Sequence, residues 1–70
     1  MKFILVLHIC SVVHLNCLPP VNDTFIFNSW IECANAGYLR AIETTNKMDS
    51  DIVNRNQVVV NFKCVPVEQT

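Results

Sequence analysis

The cysteines are the residues of this chain best suited to chemistry, and they are dense for a sequence of 70 residues. A cysteine can ligate a metal, act as a nucleophile or form a disulfide. In a short chain in an oxidising compartment, this density is typical of a disulfide-stapled fold. Four cysteines allow three pairings, and their number alone selects none of them. The four are Cys10, Cys17, Cys33 and Cys64.

Two histidines lie near the first two cysteines, and such a set could ligate a metal. His8 and His14 do not follow the Cys-x2–4-Cys or His-x3–5-His spacing of zinc sites. A thiol enzyme would also need a base, an orienting group and a pocket, for which so short a chain has little room. We therefore predict no catalytic, cofactor-binding or metal-ligating residues and expect a protein that is not an enzyme.

Two short polar motifs have alternative interpretations. Asp49-Ser50-Asp51 could contact a cation, but it lacks the glycine and the distal glutamate of a calcium loop, so we predict a solvated loop. Asn22-Asp23-Thr24 matches a glycosylation sequon, which matters only in a eukaryotic secretory pathway.

Composition limits the function classes. The formal net charge is −1, with scattered acids and bases, so the chain has no basic field for nucleic acid. Hydrophobic residues make up 51% of the sequence, which argues against disorder. The apolar N-terminal run is too short for a transmembrane helix, which needs about 20 residues. One small domain is expected.

A helix is predicted over residues 30–45. Ser29 and Glu32 form a capping box, in which each side chain bonds the backbone amide of the other residue. Ala34 and Gly37 keep the middle of its apolar face small, and this predicts a close approach to a sheet. Tryptophan and tyrosine on such a face are expected to belong to the core. The apolar face comprises Trp30, Cys33, Ala34, Gly37, Tyr38, Ala41 and Ile42.

A strand is predicted over residues 57–65 from its period-two pattern, and Pro66 is expected to end it. Its apolar face includes Cys64. If helix and strand are antiparallel, Cys33 in the first helical turns meets Cys64 near the strand end. A disulfide between them would close a loop of about 30 residues and stabilise the fold by roughly 3–4 kcal/mol. Two free buried thiols are the alternative.

Residues 1–17 have two interpretations. A lysine, an apolar run and a following Leu18-Pro19-Pro20 resemble a secretory signal peptide, although His8 interrupts the run and no Ala-x-Ala cleavage site is present. Cleavage would send residues 18–70 to the periplasm or outside the cell. Without cleavage, the protein would stay in the host cytoplasm.

The second interpretation is a retained central strand, because a nearly all-apolar run is typical of one. Without it, residues 18–70 offer about two strands to cover the helix, and two-stranded sheets are marginal. Thr24–Phe27 could add an edge strand. A retained N-terminus would also permit a second pair, Cys10 with Cys17.

An apolar N-terminal run precedes a helix with one cysteine and a strand with another. The spacing is Phe27-x-Ser29-x-x-x-Cys33-Ala34-x-Ala36-Gly37, then a polar gap, then Val60-x-Phe62-x-Cys64. This pattern resembles short uncharacterised proteins encoded by marine bacteriophages and their bacterial hosts. The resemblance implies a helix-on-sheet unit and carries no activity.

We therefore predict an α+β fold, with one amphipathic helix on a two- or three-stranded sheet and a disulfide staple. The first functional hypothesis is a small non-enzymatic interaction protein with a protein partner, encoded by a phage or another mobile element. The second is an exported, disulfide-stabilised protein of the cell surface or periplasm. The third is a minimal metal or thiol-redox protein.

Overall fold

One long helix packs on a four-stranded antiparallel sheet, which confirms the predicted α+β class. The computed structural model describes residues 1–67 of the chain. The sheet has four strands rather than the predicted two or three, and a short second helix precedes the last strand. The elements are β1 (Lys2–Ser11), β2 (Asn16–Cys17), β3 (Val21–Phe27), α1 (Trp30–Lys47), α2 (Ser50–Asn56) and β4 (Val58–Val67).

The signal-like segment forms β1, which is the central strand of the sheet. β4 pairs with β1 along its whole length, from Lys2↔Val67 to Ser11↔Val58. On the other edge, β3 pairs with the first part of β1, and β2 pairs with its last two residues. β1 therefore has neighbours on both edges, and each of its residues is buried or half-buried, which accounts for its nearly continuous apolar composition.

The two faces of the sheet differ in what covers them. Odd-numbered residues of β1 face α1, and Phe3 and Leu5 are buried there together with Cys33 and Cys64. The opposite face carries the even-numbered residues of β1 and the odd-numbered residues of β4. No other element of residues 1–67 covers that face. Alternation along β1 and β4 thus divides each strand between a core side and an open side.

β4 continues through Pro66, and the prediction that this proline ends the strand is wrong. The Leu18 amide donates to the Ile9 carbonyl on the β2 side of β1, and the Val12 amide donates to Gln57 on the β4 side. Because backbone groups alternate along a strand, even-numbered residues of β4 direct theirs away from β1. The backbone nitrogen of Pro66 faces that outer edge. Its missing amide hydrogen therefore removes no hydrogen bond from the ladder with β1.

α1 begins with the expected cap, in which the Ser29 hydroxyl accepts from the Glu32 amide at 3.3 Å. The reciprocal bond differs from the prediction, because the Glu32 carboxylate accepts from the amide of Asn28 at 3.2 Å. Glu32 also places a negative charge at the positive end of the helix dipole. These contacts fix where the chain leaves β3 and enters the helix.

α1 contacts the sheet through its small residues, and the expected burial of its large aromatic residues is wrong. Only Cys33 and Gly37 of the helix are buried. The close approach leaves no room for larger side chains beneath the helix axis. Trp30 therefore packs edge-on against Phe3, with ring centroids 5.6 Å apart, and remains largely exposed. Tyr38 and Ile42 are likewise largely exposed.

The predicted solvated loop at Asp49-Ser50-Asp51 is also wrong, because these residues begin α2. The Asp49 side chain caps the helix by accepting from the Asp51 amide at 2.8 Å. Aspartate is one of the preferred N-cap residues, so the local sequence carries the signal for this helix start. Gln57 ends α2 in the left-handed conformation, with φ at 49°, and turns the chain into β4.

A test of the close helix–sheet approach uses Gly37. A β-carbon at this position would overlap the Phe62 ring. Gly37→Ala normally stabilises a helix by about 0.5–1 kcal/mol, but here we expect destabilisation. Gly37→Leu should cost roughly 1–3 kcal/mol through overpacking. Urea unfolding measures both, with Asn35→Ala on the exposed side of α1 as the control. A Gly37→Ala protein more stable than wild type would contradict the packing.

Candidate functional site

The Cys33–Cys64 disulfide joins α1 to β4, which is the pairing expected from the sequence. The two Cα atoms lie 6.1 Å apart, and both residues belong to the buried core. Leu5, paired with Cys64 across the β1–β4 ladder, lies beside them and is fully buried. This disulfide therefore occupies the centre of a very small core, and its role is structural.

The second disulfide, Cys10–Cys17, joins β1 to β2. The two residues are directly opposed in the ladder, with Cα atoms 3.9 Å apart. Within residues 1–67 no cysteine is free, and this range contains all four of them. A disulfide-bonded cysteine provides neither a thiolate nucleophile nor a metal ligand.

The histidines lie in different environments. His8 is half-buried on the open face of the sheet, where it pairs with Asn61 of β4. His14 lies in the turn after β1, and its Nε2 is 3.1 Å from Oδ1 of Asn56. Ser11 Oγ donates to the Asn56 carbonyl at 2.8 Å and accepts from the His14 amide at 3.2 Å.

This polar cluster connects the β1–β2 turn to the end of α2, so the role of His14 in it is structural. Within residues 1–67, no group of three or more histidine, cysteine, aspartate or glutamate side chains is arranged to hold a metal ion. The metal or thiol-redox hypothesis stays a prediction.

The sequon Asn22-Asp23-Thr24 lies within β3, where its central residue has a structural role. The Asp23 carboxylate pairs with Arg40 Nε at 3.2 Å and accepts from the Phe25 amide at 3.0 Å. The ion pair links β3 to α1. Because Arg40 is about half exposed, we assign this pair an orienting role rather than a large stabilising one.

A shallow apolar groove lies beside that ion pair, between α1 and β3, and we call it the α1–β3 groove. It encloses about 500 Å³. Phe25 and Phe27 form one wall, with ring centroids 4.9 Å apart. Leu39 and Ala36 form the opposite wall, on α1. The complete lining is Phe25, Phe27, Asn28, Glu32, Asn35, Ala36 and Leu39.

The walls of the α1–β3 groove remain open to solvent. Phe25 is 60% exposed and Leu39 is 62% exposed, although both belong to residue types that normally lie inside proteins. Around this hydrocarbon surface the lining offers the Glu32 carboxylate and two asparagine amides. Such a lining can hold apolar side chains and accept hydrogen bonds at its rim.

The sequence prediction missed this groove because its two walls come from different elements. Leu39 lies outside the predicted apolar stripe, since it is on the flank of α1. The sequence pattern places Phe25 only in a short edge strand. The sequence did contain a signal for it: Leu39 is an apolar residue outside the apolar stripe of the helix, and two aromatic residues, Phe25 and Phe27, alternate along the strand that precedes the helix.

Residues 1–67 contain no helix that is long and apolar enough to cross a membrane. Comparison of the chain with protein-family models, with curated proteins and with solved structures finds no match.

The two disulfides are expected to differ in their effect on stability. Their sequence separations are 31 and 7 residues. Replacing Cys33 and Cys64 together by alanine should therefore cost roughly 3–4 kcal/mol, and replacing Cys10 and Cys17 roughly 2–3 kcal/mol. Urea unfolding of both double variants measures this. A larger loss for the Cys10/Cys17 variant would show that the core disulfide is not the main staple.

Proposed function

We propose that this protein is a small, non-enzymatic interaction module that binds a partner protein through the α1–β3 groove. The observation that carries the proposal is the exposure of Phe25 and Leu39 around a concave apolar surface. Soluble proteins that leave such side chains open in a concave patch commonly use them for binding. Encoding by a phage or another mobile element stays a prediction from the resemblance.

Burial of the exposed groove walls in a complex would supply a modest binding affinity. Complete burial of a leucine or phenylalanine side chain stabilises a complex by about 1.5–3 kcal/mol. Phe25 and Leu39 retain more than half of their surface for such burial. Together they would contribute on the order of 2–4 kcal/mol, or a factor of roughly thirty to a thousand in affinity. Further contacts at the rim must therefore supply part of the binding energy.

The rim indicates the chemistry of the partner. The Glu32 carboxylate and the Asn35 side-chain oxygen are acceptors around the apolar floor, whereas the Asn28 side-chain oxygen already accepts from the Lys2 ammonium group. A matching partner segment carries one or two large apolar side chains with amide or basic donors beside them. The ion pair of Asp23 with Arg40 neutralises two neighbouring charges, which leaves Glu32 and the Lys2 ammonium group, bonded to Asn28, as the charges beside the groove.

We test this proposal with Leu39→Asp, which places a charge on the groove wall. The immobilised variant should lose its partner from host lysate, whereas wild type should retain it reproducibly. Asn54→Asp is the matched control, because it adds the same charge on exposed α2. Phe25→Ser provides an independent second variant on the opposite wall. Quantitative mass spectrometry of the captured proteins is the measurement, and identical capture by Leu39→Asp and wild type would contradict the proposal.

A second candidate function is that of an exported, disulfide-stabilised protein at the cell surface or in the periplasm. Its supporting observation is the pairing of all four cysteines, since disulfides persist in oxidising compartments. Cleavage after Cys17 would remove the central strand and both members of one disulfide. Export of this fold therefore requires residues 1–17 to stay in the mature protein.

Mass spectrometry of the native protein under non-reducing conditions tests this second candidate. We expect an intact mass that includes Met1–Cys17 and no alkylation of cysteine before reduction, because every thiol is paired. After reduction and unfolding, four alkyl adducts should be present, one for each cysteine. Rapid alkylation of the native protein would indicate a reducing compartment. A mass lacking the first seventeen residues would restore the signal-peptide interpretation.

A further inference from the structure

β4 has an unpaired outer edge along its whole length. One edge of β4 pairs with β1, and the other pairs with no strand in residues 1–67. The even-numbered residues of β4 direct their backbone groups to this edge, as the tolerance of Pro66 also indicates. The amide donors available there belong to Val58, Val60, Phe62 and Cys64. Long apolar edge strands with unpaired backbone groups readily accept another strand.

We propose that the free edge of β4 pairs antiparallel with the same edge of a second copy of this chain. The product is a symmetric dimer, in which two four-stranded sheets become one continuous sheet. This inference goes beyond the proposed function, because β4 and the α1–β3 groove lie on opposite flanks of α1. Each surface can be occupied independently of the other.

The backbone fixes the register of this pairing. With the two-fold axis at Asn61, Val60 opposes the partner's Phe62, and Val58 opposes the partner's Cys64. All four outward amides of each copy then find carbonyl acceptors. A shift of two residues in one direction brings Pro66, which has no amide hydrogen, opposite the partner's Val58. A shift in the other direction brings Cys64 opposite the partner's Asn56, which belongs to α2.

The two copies of α1 then come to packing distance. α1 lies mainly over β4 and β1. Neighbouring strands are about 4.8 Å apart, so a helix axis placed above the middle of this pair would lie about 5 Å from the two-fold axis. The two helix axes are therefore about 10 Å apart, at the upper end of the 8–10 Å range for packed helices.

The exposed side chains on this flank of α1 fit that arrangement. Tyr38 contacts the Phe62 ring edge-on, with centroids 4.8 Å apart, yet is 63% exposed. One turn later, Ile42 is 59% exposed. It borders a groove of about 320 Å³ that runs beside Val60. A two-fold axis at Asn61 places Tyr38 of one helix against the partner's Ile42, twice per dimer.

The area and the charges are also compatible with a dimer. Seven residues of β4, from 58 to 64, span about 23 Å. A helix-on-sheet layer is about 20 Å high, so the contact covers on the order of 460 Å² per copy. The total of about 900 Å² lies below the roughly 1,200–2,000 Å² of stable complexes, so the expected dimer is a weak one. Lys63 lies on the open face opposite the partner's Val59, so the register brings no like charges together.

Charge placement across the two-fold axis tests the proposal. Sedimentation equilibrium between roughly 1 µM and 1 mM should show wild type converting from monomer to dimer. Tyr38→Glu and Ile42→Lys should each weaken dimerisation roughly ten-fold or more, since each loses apolar contact twice. A mixture of the two variants should dimerise better than either alone, because the introduced carboxylate of one copy then meets the introduced ammonium group of the other. Thermal unfolding confirms that each variant is folded.

Leu39→Lys is the matched control, because this exposed residue lies on the other flank of α1. It should dimerise like wild type while losing the partner of the α1–β3 groove. Conversely, Ile42→Lys should retain that partner. The two proposals can therefore fail separately.

Amide hydrogen exchange gives a readout that does not depend on any substitution. On concentration, the Val58, Val60, Phe62 and Cys64 amides should become protected, whereas Val59, Asn61 and Lys63 should be protected at every concentration. A monomer at 1 mM with unprotected even-numbered amides would overturn the proposal. A dimer that survives Ile42→Lys but not Leu39→Lys would overturn it as well.

Discussion

The contact between Gly37 and the Phe62 ring is the constraint from which the surface of this protein follows. It brings α1 so close to the sheet that only small residues fit beneath the helix axis. The large apolar side chains of the helix are consequently left largely exposed. Leu39 on one side forms a wall of the α1–β3 groove, and Tyr38 and Ile42 on the other side extend over the edge of β4.

The same constraint explains why the core is so small and why the disulfides matter. Within residues 1–67 the buried apolar side chains are those of Phe3, Leu5, Cys33 and Cys64. Chains of this size rarely gain enough from apolar burial alone and commonly add covalent staples. Here one staple passes through the centre of the core. Apolar surface that a larger protein would bury is left available for binding.

The sequence predicted those features that depend on local physical chemistry. The Ser29 cap, the strand over β4 and the Cys33–Cys64 pairing follow from hydrogen-bonding groups and periodicity. The side-chain burial of α1 could not be predicted, because periodicity gives a face but not the depth of packing. The continuation of β4 through Pro66 was also missed, since it depends on which edge of the strand has a neighbour. Predicting the α1–β3 groove would have required the relative placement of α1 and β3, which no local sequence pattern contains.

The pairing of β1 with β4 has a consequence for how the chain reaches its fold. Lys2 lies opposite Val67, so the central ladder joins the two ends of the described chain. Contacts of such high sequence separation make folding slow, because the chain loses conformational entropy before the contacts of the ladder form and compensate for it. During synthesis β1 emerges first but has no partner at one edge until β4 has been made. Until then this apolar strand is unpaired at that edge, and chaperone binding or mispairing competes with folding.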